Sequence, residues 1–428
     1  MASLRNGTRR RSPLLCLVTS VGLALTAPAW ADTLLQSAGT LDATVTSTPL
    51  VAVSPVYSLC TMIYSRDVQE RTYHIVSPGR YCLASDLNAT PPAIVLLPTP
   101  KEFGVKTNSI HSGAAIHVHV SDVDIDFRRY ALNDAGATPI EDGVRLDPGL
   151  SNVTVHDGVI NGFENGLAGS GTVSAVLSGI RIQRMKFYGG QIGAHLGIVR
   201  DSVISRNTFA ADIIGLALSV ADRTVVAGNR FDLPGTSTGY AIGLYTSWGA
   251  RHLSITDNIF NGRGQFGGMG LHLHNNSWQA TNEDLSRANR VERNVLYAVE
   301  EPIVVSGSGI ASDNVIRENQ IFGDTASTIV RTYPTGYPRR FSGIRVENNA
   351  EIEIYGNYVF TGLRIPYYHG IELGSATTVK LDVNGASTLR SNQTCGVADP
   401  LRAPYGVPES SIDGGNWWNN WCLPLQIQ

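Results

Sequence analysis

An all-β solenoid, with short strands stacked coil on coil, is the fold this sequence predicts, and three observations predict it. First, from about Gly113 onward one phrase keeps returning: a glycine, a short apolar alternation, a polar turn, a second alternation, then asparagine-x-phenylalanine or a near equivalent. A period of twenty-odd residues built from strands means a solenoid of strands. Second, 44 glycines and 20 prolines argue against a helical bundle and for many short strands. Third, charged residues are only 16% and apolar ones 43%, which disfavours a coiled coil or a disordered chain and leaves enough apolar side chains for a core. The 428 residues admit two average domains or one elongated repeat protein, and the repeat selects the second, with about nine or ten coils.

Residues 1–31 read as a targeting segment. Arg5, Arg9, Arg10 and Arg11 form a positive start, Leu14 to Leu25 is apolar, and Ala29-Trp30-Ala31 is a small-x-small cleavage site, so the mature chain is expected to begin at Asp32. The arginine run also permits a twin-arginine route, with the general secretory route as the default. The apolar run is too short to span a bilayer comfortably, and no later segment reads as a span. The protein is therefore expected outside the cytoplasm, in the periplasm or beyond. Losing the four arginines takes the formal charge from −3 to −7. Neither value gives a reason to expect a nucleic-acid partner.

Residues 32–110 should hold an N-terminal cap and first strands, 111–385 the coils, and 386–428 a C-terminal cap, because the open ends of a solenoid need covering. Cys16 leaves with the targeting segment. The other cysteines fall in two clusters, Cys60 and Cys82 near the start and Cys395 and Cys422 near the end. An even count in an exported chain suggests two disulfides, and near-neighbour pairing is the simplest arrangement. The aromatic run Trp417-Trp418-Asn419-Asn420-Trp421 reads first as a plug on the last coil and second as a carbohydrate platform.

Asn207, Asn229, Asn258, Asn294, Asn319 and Asn357 recur in one place of the phrase, with Met185 and Gly158 holding it in two earlier repeats. Asparagine tolerates left-handed backbone and can bond its neighbours in a stacked turn, so a structural ladder is expected rather than a catalytic role. Longer steps mark insertions, which in solenoids often build a binding face.

Phrases such as Gly143-Val144-Arg145-Leu146-Asp147, Ile255-Thr256-Asp257-Asn258-Ile259-Phe260 and Val315-Ile316-Arg317-Glu318-Asn319-Gln320-Ile321-Phe322 resemble the right-handed parallel β-helix superfamily, the pectate-lyase-like fold. Ser77-Pro78-Gly79-Arg80-Tyr81-Cys82-Leu83 looks like the first strand common in such proteins. The resemblance runs through most of the mature chain and implies a single right-handed parallel β-helix. That superfamily covers lyases, glycoside hydrolases, uronan epimerases, esterases, phage tailspikes and adhesins, so it selects no single activity. The polygalacturonase pattern, the pectate lyase arginine motif and the pectin methylesterase motifs are missing. Lysine is scarce (Lys101, Lys106, Lys186 and Lys380), which weakens a calcium-dependent lyase with a lysine base.

In such a fold equivalent strands stack about 4.8 Å apart and alternate residues point in and out. Aligning the strand after each glycine gives an inward stripe of Ile116, Val144, Leu216, Leu244, Leu271, Ile303, Ile344 and Ile371. One outward column reads His117, Arg145, Ala168, His195, Ala217, Tyr245, His272, Val304, Arg345 and Glu372. The next reads His119, Asp147, Ser170, Gly197, Ser219, Ser247, His274, Ser306, Glu347 and Gly374. The richest stretch runs from Met269 to Trp278. There His272 and His274 leave one strand, with Tyr245 one coil below and Arg345 about two coils above, roughly 10 Å along the axis. The insertions 275–288 and 323–341 would wall this face.

Tyr245, His272, His274 and Arg345 are therefore the candidate catalytic residues. Trp248, Trp278, Arg339, Arg340, Glu347 and Glu372 are the candidate substrate contacts. Tyrosine or histidine can remove a proton, and arginine can neutralise the carboxylate that acidifies it. The expected function is an enzyme on acidic polysaccharide, a lyase or a C5-epimerase of uronate residues. The alternatives are a glycoside hydrolase using Glu347 and Glu372, or a non-catalytic carbohydrate-binding or surface β-helix. Neither His117/His119 nor His272/His274 has an obvious carboxylate on its own strand, so no metal site and no cofactor are expected. A polysaccharide is the expected partner, and the oligomeric state is left open.

Overall fold

The computed structural model describes residues 59–90, 113–136, 139–233, 241–262, 268–275, 286–307, 311–323, 342–360, 369–374, 377, 389–395, 399–402 and 417–419. Over these the chain is a parallel β-helix. Among the described residues all strand pairings in its sheets are parallel, and each joins a strand to its equivalent in the next coil, as Tyr245↔His272, Phe231↔Phe260 and Val226↔Ile255 illustrate. The strands that follow the glycine of each phrase form a 14-stranded sheet that runs from Tyr73–Ile75 to Asp399–Arg402. The strands of the second alternation, before and after the asparagine, form the 22-stranded sheet. Parallel pairing thus begins at Thr61 and continues to Asn419, beyond the 111–385 span in both directions.

The inward stripe forms the core. Ile116, Val144, Leu216, Leu244, Leu271, Ile303, Ile344 and Ile371 are all 0–1% exposed. Opposite them, Phe187, Phe209, Phe231 and Phe260 form a stack with centroids 4.6–5.0 Å apart and planes within 11°. The glycine that opens each phrase has a packing reason. A Cβ on Gly215 would lie 2.7 Å from the Gly243 carbonyl oxygen and 2.9 Å from the Phe231 ring. Sheet and aromatic stack approach too closely there for any side chain.

The asparagine ladder is present, and it runs one rung further than expected, to Asn392. Each side-chain oxygen accepts bonds from the backbone N–H and the Nδ2 of the asparagine one coil earlier. For Asn258 these come from Asn229, at 2.9 and 3.0 Å. Its Nδ2 donates to Val226 O at 2.9 Å and to Asn294 Oδ1 at 3.0 Å. Met185 N starts the series by donating to Asn207 Oδ1 at 2.9 Å. One part of the expectation is corrected: the asparagines are not themselves left-handed. The residue before each is, with φ of 57° at Arg206, 62° at Gly228, 57° at Asp257, 52° at Arg293, 56° at Glu318 and 65° at Gly356. That residue turns the corner, and the asparagine satisfies buried backbone groups.

Cys60 and Cys82 form a disulfide between adjacent coils, where Met62 is paired with Cys82. The second expected disulfide, the targeting segment and its cleavage site lie outside the described residues. No helix among the described residues is long and apolar enough to cross a membrane.

Candidate functional site

Strand pairing sets which side chains meet on the outward face of the 14-stranded sheet. The register runs His74, His117, Arg145, Ala168, His195, Ala217, Tyr245, His272, Val304, Arg345 and Glu372, one residue per coil. The column read from sequence is reproduced without a slip, and His74 extends it by one coil.

Tyr245, His272 and His274 come together. Ring centroids are 5.4 Å apart for Tyr245–His272, 6.0 Å for Tyr245–His274 and 5.1 Å for His272–His274. They sit side by side because Tyr245 and His272 are register partners on adjacent strands, while His272 and His274 are two apart on one strand. His272 Nε2 lies 2.9 Å from the Ser306 hydroxyl in the next coil. His274 is held by its backbone N–H, which donates to Thr246 Oγ1 at 3.2 Å. Its ring Nδ1 is buried and finds no hydrogen-bond partner among the described residues.

The face is partly dry. Val304, next to His272 in the column, is 0% exposed although its side chain points outward. Burial pushes His272 down to about 3, with the positive charges of His274 and Arg345 adding to the shift. Burial also lowers His274 and raises Tyr245. At neutral pH the centre therefore holds two uncharged imidazoles and a protonated phenol.

Arg345 sits above them among carboxylates. It donates to Glu347 Oε1 at 2.9 Å and to Glu301 Oε1 at 3.0 Å, while its buried Nε finds no acceptor among the described residues. Glu372 is its register partner and accepts a bond from the Ser342 hydroxyl at 2.5 Å. Burial raises the Glu301 carboxyl; Arg345 opposes this, and Glu347 and Glu372 reinforce it. Trp248 is half-buried just past the end of the Tyr245 strand, and its backbone N–H donates to Ser219 O at 2.8 Å. Trp278, Arg339 and Arg340 lie outside the described residues, as do most of both insertions.

Two groups escaped the sequence reading. One is Glu301, hidden where Pro302 replaces the glycine of the phrase; the Pro302 carbonyl meets Gly270 as a glycine carbonyl does elsewhere. The other is a histidine cluster at the start of the same column. His117 Nε2 and His119 Nδ1 each lie 2.6 Å from one oxygen of Asp147, and His74 Nδ1 lies 2.8 Å from His119 Nε2. His74 was missed because it precedes the first clear phrase, whereas Asp147 stood beside His119 in the second column but on the next coil, and only carboxylates on the histidines' own strand were weighed. On another sheet, a surface depression lined by His252, Ser254, Arg290, Asp313 and Glu353 holds none of the expected site residues.

The comparisons bear first on the fold. Residues 102–288, under half of the chain, match the sequence profile of a family described as periplasmic copper-binding protein (NosD). No curated protein sequence matches the chain. Among solved structures, a mutant tailspike protein of E. coli bacteriophage HK620, in complex with a pentasaccharide, aligns with a TM-score of 0.50 at 12% identity. That alignment covers 77% of this chain and 57% of the tailspike, so the chain spans little more than half of that protein's length. A mutant of the periplasmic alginate epimerase AlgG aligns at 0.49 and 14% identity, covering 80% of this chain and 81% of that one. A DFA-IIIase mutant from Arthrobacter chlorophenolicus A6, in complex with DFA-III, aligns at 0.44 and 12%, covering 82% and 77%. At such identities the tailspike likeness establishes the parallel β-helix architecture and nothing finer.

Proposed function

We propose that the protein is an exported enzyme acting on an acidic polysaccharide by proton abstraction at C5 of a uronate residue, as a lyase or a C5-epimerase. One observation carries this reading: Tyr245, His272 and His274 converge on a partly dehydrated face with two neutral bases beside one protonated acid. In the proposed reaction an imidazole takes the C5 proton. His272 is a weak base while the site is empty, and a bound uronate carboxylate raises its basicity by favouring the imidazolium. The Arg345 guanidinium, whose Nε–H has no acceptor among the described residues, supports the developing enolate by bonding that carboxylate. The Tyr245 phenol then donates a proton, either to the departing glycosidic oxygen (lyase) or to C5 from the opposite face (epimerase). The tailspike, which is bound to a pentasaccharide, gives this reading context. Export fits both the Cys60–Cys82 disulfide and the periplasmic profile match.

A second reading, a glycoside hydrolase, is favoured by the carboxylates gathered around Arg345. Glu301 is pushed up by burial and by Glu347 and Glu372, as suits a general acid beside an ionised partner. A panel of uronans and neutral glycans separates the readings. Ultraviolet absorbance of unsaturated ends marks a lyase, deuterium uptake at C5 by NMR an epimerase, and new reducing ends without unsaturation a hydrolase. Binding of a polymer with none of these signals would refute catalysis and leave a carbohydrate-binding module.

A further inference from the structure

We infer that His74, His117 and His119 form a binding site for one divalent first-row transition ion of the imidazole-preferring kind, with Asp147 orienting two of the ligands. This site is independent of the proposed catalytic centre. One ligand atom from each histidine can be chosen so that all lie within 4.8 Å of one another. The rings are close, with centroids 4.0 Å apart for His117–His119, 5.1 Å for His74–His119 and 5.8 Å for His74–His117. Nitrogen ligands bind such ions at about 2.0–2.1 Å, which in a tetrahedral site puts them roughly 3.3 Å apart. Closing the cluster onto an ion parts His74 Nδ1 from His119 Nε2 by about half an ångström and draws ligand atoms that stand up to 4.8 Å apart together by as much as about 1.5 Å, through ring rotations.

The hydrogen bonds support this assignment. Asp147 faces His117 Nε2 and His119 Nδ1 through its two oxygens. An ionised carboxylate is an acceptor, so both ring nitrogens carry protons and donate. That leaves His117 Nδ1 and His119 Nε2 with free lone pairs. A carboxylate behind a ligating imidazole is the usual supporting partner at metal centres, where it fixes the tautomer. His119 Nε2 in turn faces His74 Nδ1 at 2.8 Å. Two imidazole nitrogens at that distance share a single proton, and shifting the His74 proton to its other nitrogen gives the third ligand with no net proton released.

Electrostatics permit the charge. The neighbouring cation, Arg145, is bound to Glu141 at 2.7 Å and to Asp142 at 2.5 Å. Three neutral imidazoles and one carboxylate thus face the ion without an uncompensated positive charge. The ligand set lacks thiolate and thioether, which disfavours copper(I), and it holds too few oxygens for calcium or magnesium. His74 lies before the segment matched by the copper-binding family profile, so the full set belongs to this chain's own first coils. An ion here would tie three successive coils, those of Tyr73–Ile75, Ala114–Val118 and Asp142–Leu146.

The test is titration of the full-length apo protein with Zn²⁺ and Cu²⁺ by calorimetry, with Mg²⁺ and Ca²⁺ as controls. Electron paramagnetic resonance of the copper form counts nitrogen ligands. The expected result is one ion per chain, bound at least 100-fold more tightly than in His119→Ala or His74→Ala. Asp147→Asn should weaken binding roughly 10–100-fold. Copper spectra should show nitrogen couplings that fall by one on loss of a histidine, and circular dichroism checks that each variant stays folded. Unchanged affinity in folded His74→Ala and His119→Ala overturns the site. So does loss of binding in His156→Ala, which would move the ion to the neighbouring cluster of Asp126, His156 and Asp157. If His119→Ala fails to fold, the wild-type copper spectrum decides, and fewer than two nitrogen couplings sinks the proposal. Wild-type binding retained by His272→Ala separates this result from the catalytic reading.

Discussion

Asn258→Ala removes one rung of the ladder, and its cost can be worked out bond by bond. Asn258 Oδ1 is the acceptor for both the backbone N–H and one Nδ2 hydrogen of Asn229, and Asn258 Nδ2 serves Val226 O and Asn294 Oδ1. Asn229, Asn258 and Asn294 are 0–1% exposed, so water cannot replace what is lost. The variant orphans two donors on Asn229. At roughly 1–3 kcal/mol for each unsatisfied buried group, the loss is about 4 kcal/mol, a large share of a domain's usual net stability. Urea denaturation followed by circular dichroism and fluorescence measures it as a shift in midpoint. The control is a second asparagine stack on the solvent side, where Asn133 donates to Asn88 at 3.2 Å and accepts from Asn161 at 3.4 Å. Asn133→Ala should change stability by less than about 0.5 kcal/mol, as surface substitutions do. Similar small shifts in both variants would refute the claim that burial, rather than the stacking itself, makes the rungs matter. Asn258→Asp adds a pH test. It keeps the acceptor for Asn229 but sets a buried carboxylate against two oxygens, which raises its folded pKa. The variant should therefore be most stable below roughly pH 4 and weaken as pH rises through that raised value.

His272→Ala should lower turnover by roughly 100-fold or more on the responsive polymer while keeping the fold by circular dichroism, with a stability cost at neutral pH of about 1–2 kcal/mol for a part-buried side chain that loses its Ser306 partner. His252→Ala, an exposed histidine on another turn, should leave turnover nearly unchanged, and equal effects would reject this location for the centre. Stability should fall as pH drops from about 6.5 toward the folded value of about 3 for His272, because the unfolded chain takes up protons that buried His272, His274 and His195 resist. His272→Gln should flatten that slope, and an unchanged acid limb in a pH series of urea midpoints would contradict the burial argument. Gly215→Ala should cost about 1–3 kcal/mol by forcing a methyl against the Gly243 carbonyl and the Phe231 ring, and a neutral result by thermal melt would show that the sheet can relax.

Most of the fold was legible because a solenoid writes its geometry as repetition. Val144, Leu216, Leu244, Leu271, Ile344 and Ile371 each stand directly after a glycine, with Ala115 and Pro302 in that place before Ile116 and Ile303, and parallel pairing carries the column outward without a shift. The meeting of Tyr245 with His272 followed from register alone. The Cys60–Cys82 bond was legible for a related reason, since the two cysteines lie on neighbouring coils. What escaped depended on coils that drop the phrase. The Thr72-Tyr73-His74-Ile75-Val76 stretch has neither the glycine nor the asparagine, yet Tyr73 and His74 pair with Ile116 and His117. Glu301 stands before a proline in the glycine column, and its reach to Arg345 spans a coil. The left-handed residue sits one place before each asparagine, a position the sequence fills with Arg, Asp, Glu or Gly and so does not mark.

Chain length between rungs leaves no trace on the ladder. Successive asparagines from Asn207 to Asn357 are separated by 22, 29, 36, 25 and 38 residues, yet the N–H to Oδ1 distances stay within 2.9–3.1 Å. Closing a 38-residue excursion instead of a 22-residue one costs only about 0.5 kcal/mol of chain entropy. A lineage carrying this scaffold can therefore lengthen, shorten or exchange the segments between rungs without moving the strands that carry Tyr245, His272 and Arg345. Excursions and strands can then diverge at different rates, the first free in length and the second held by the ladder.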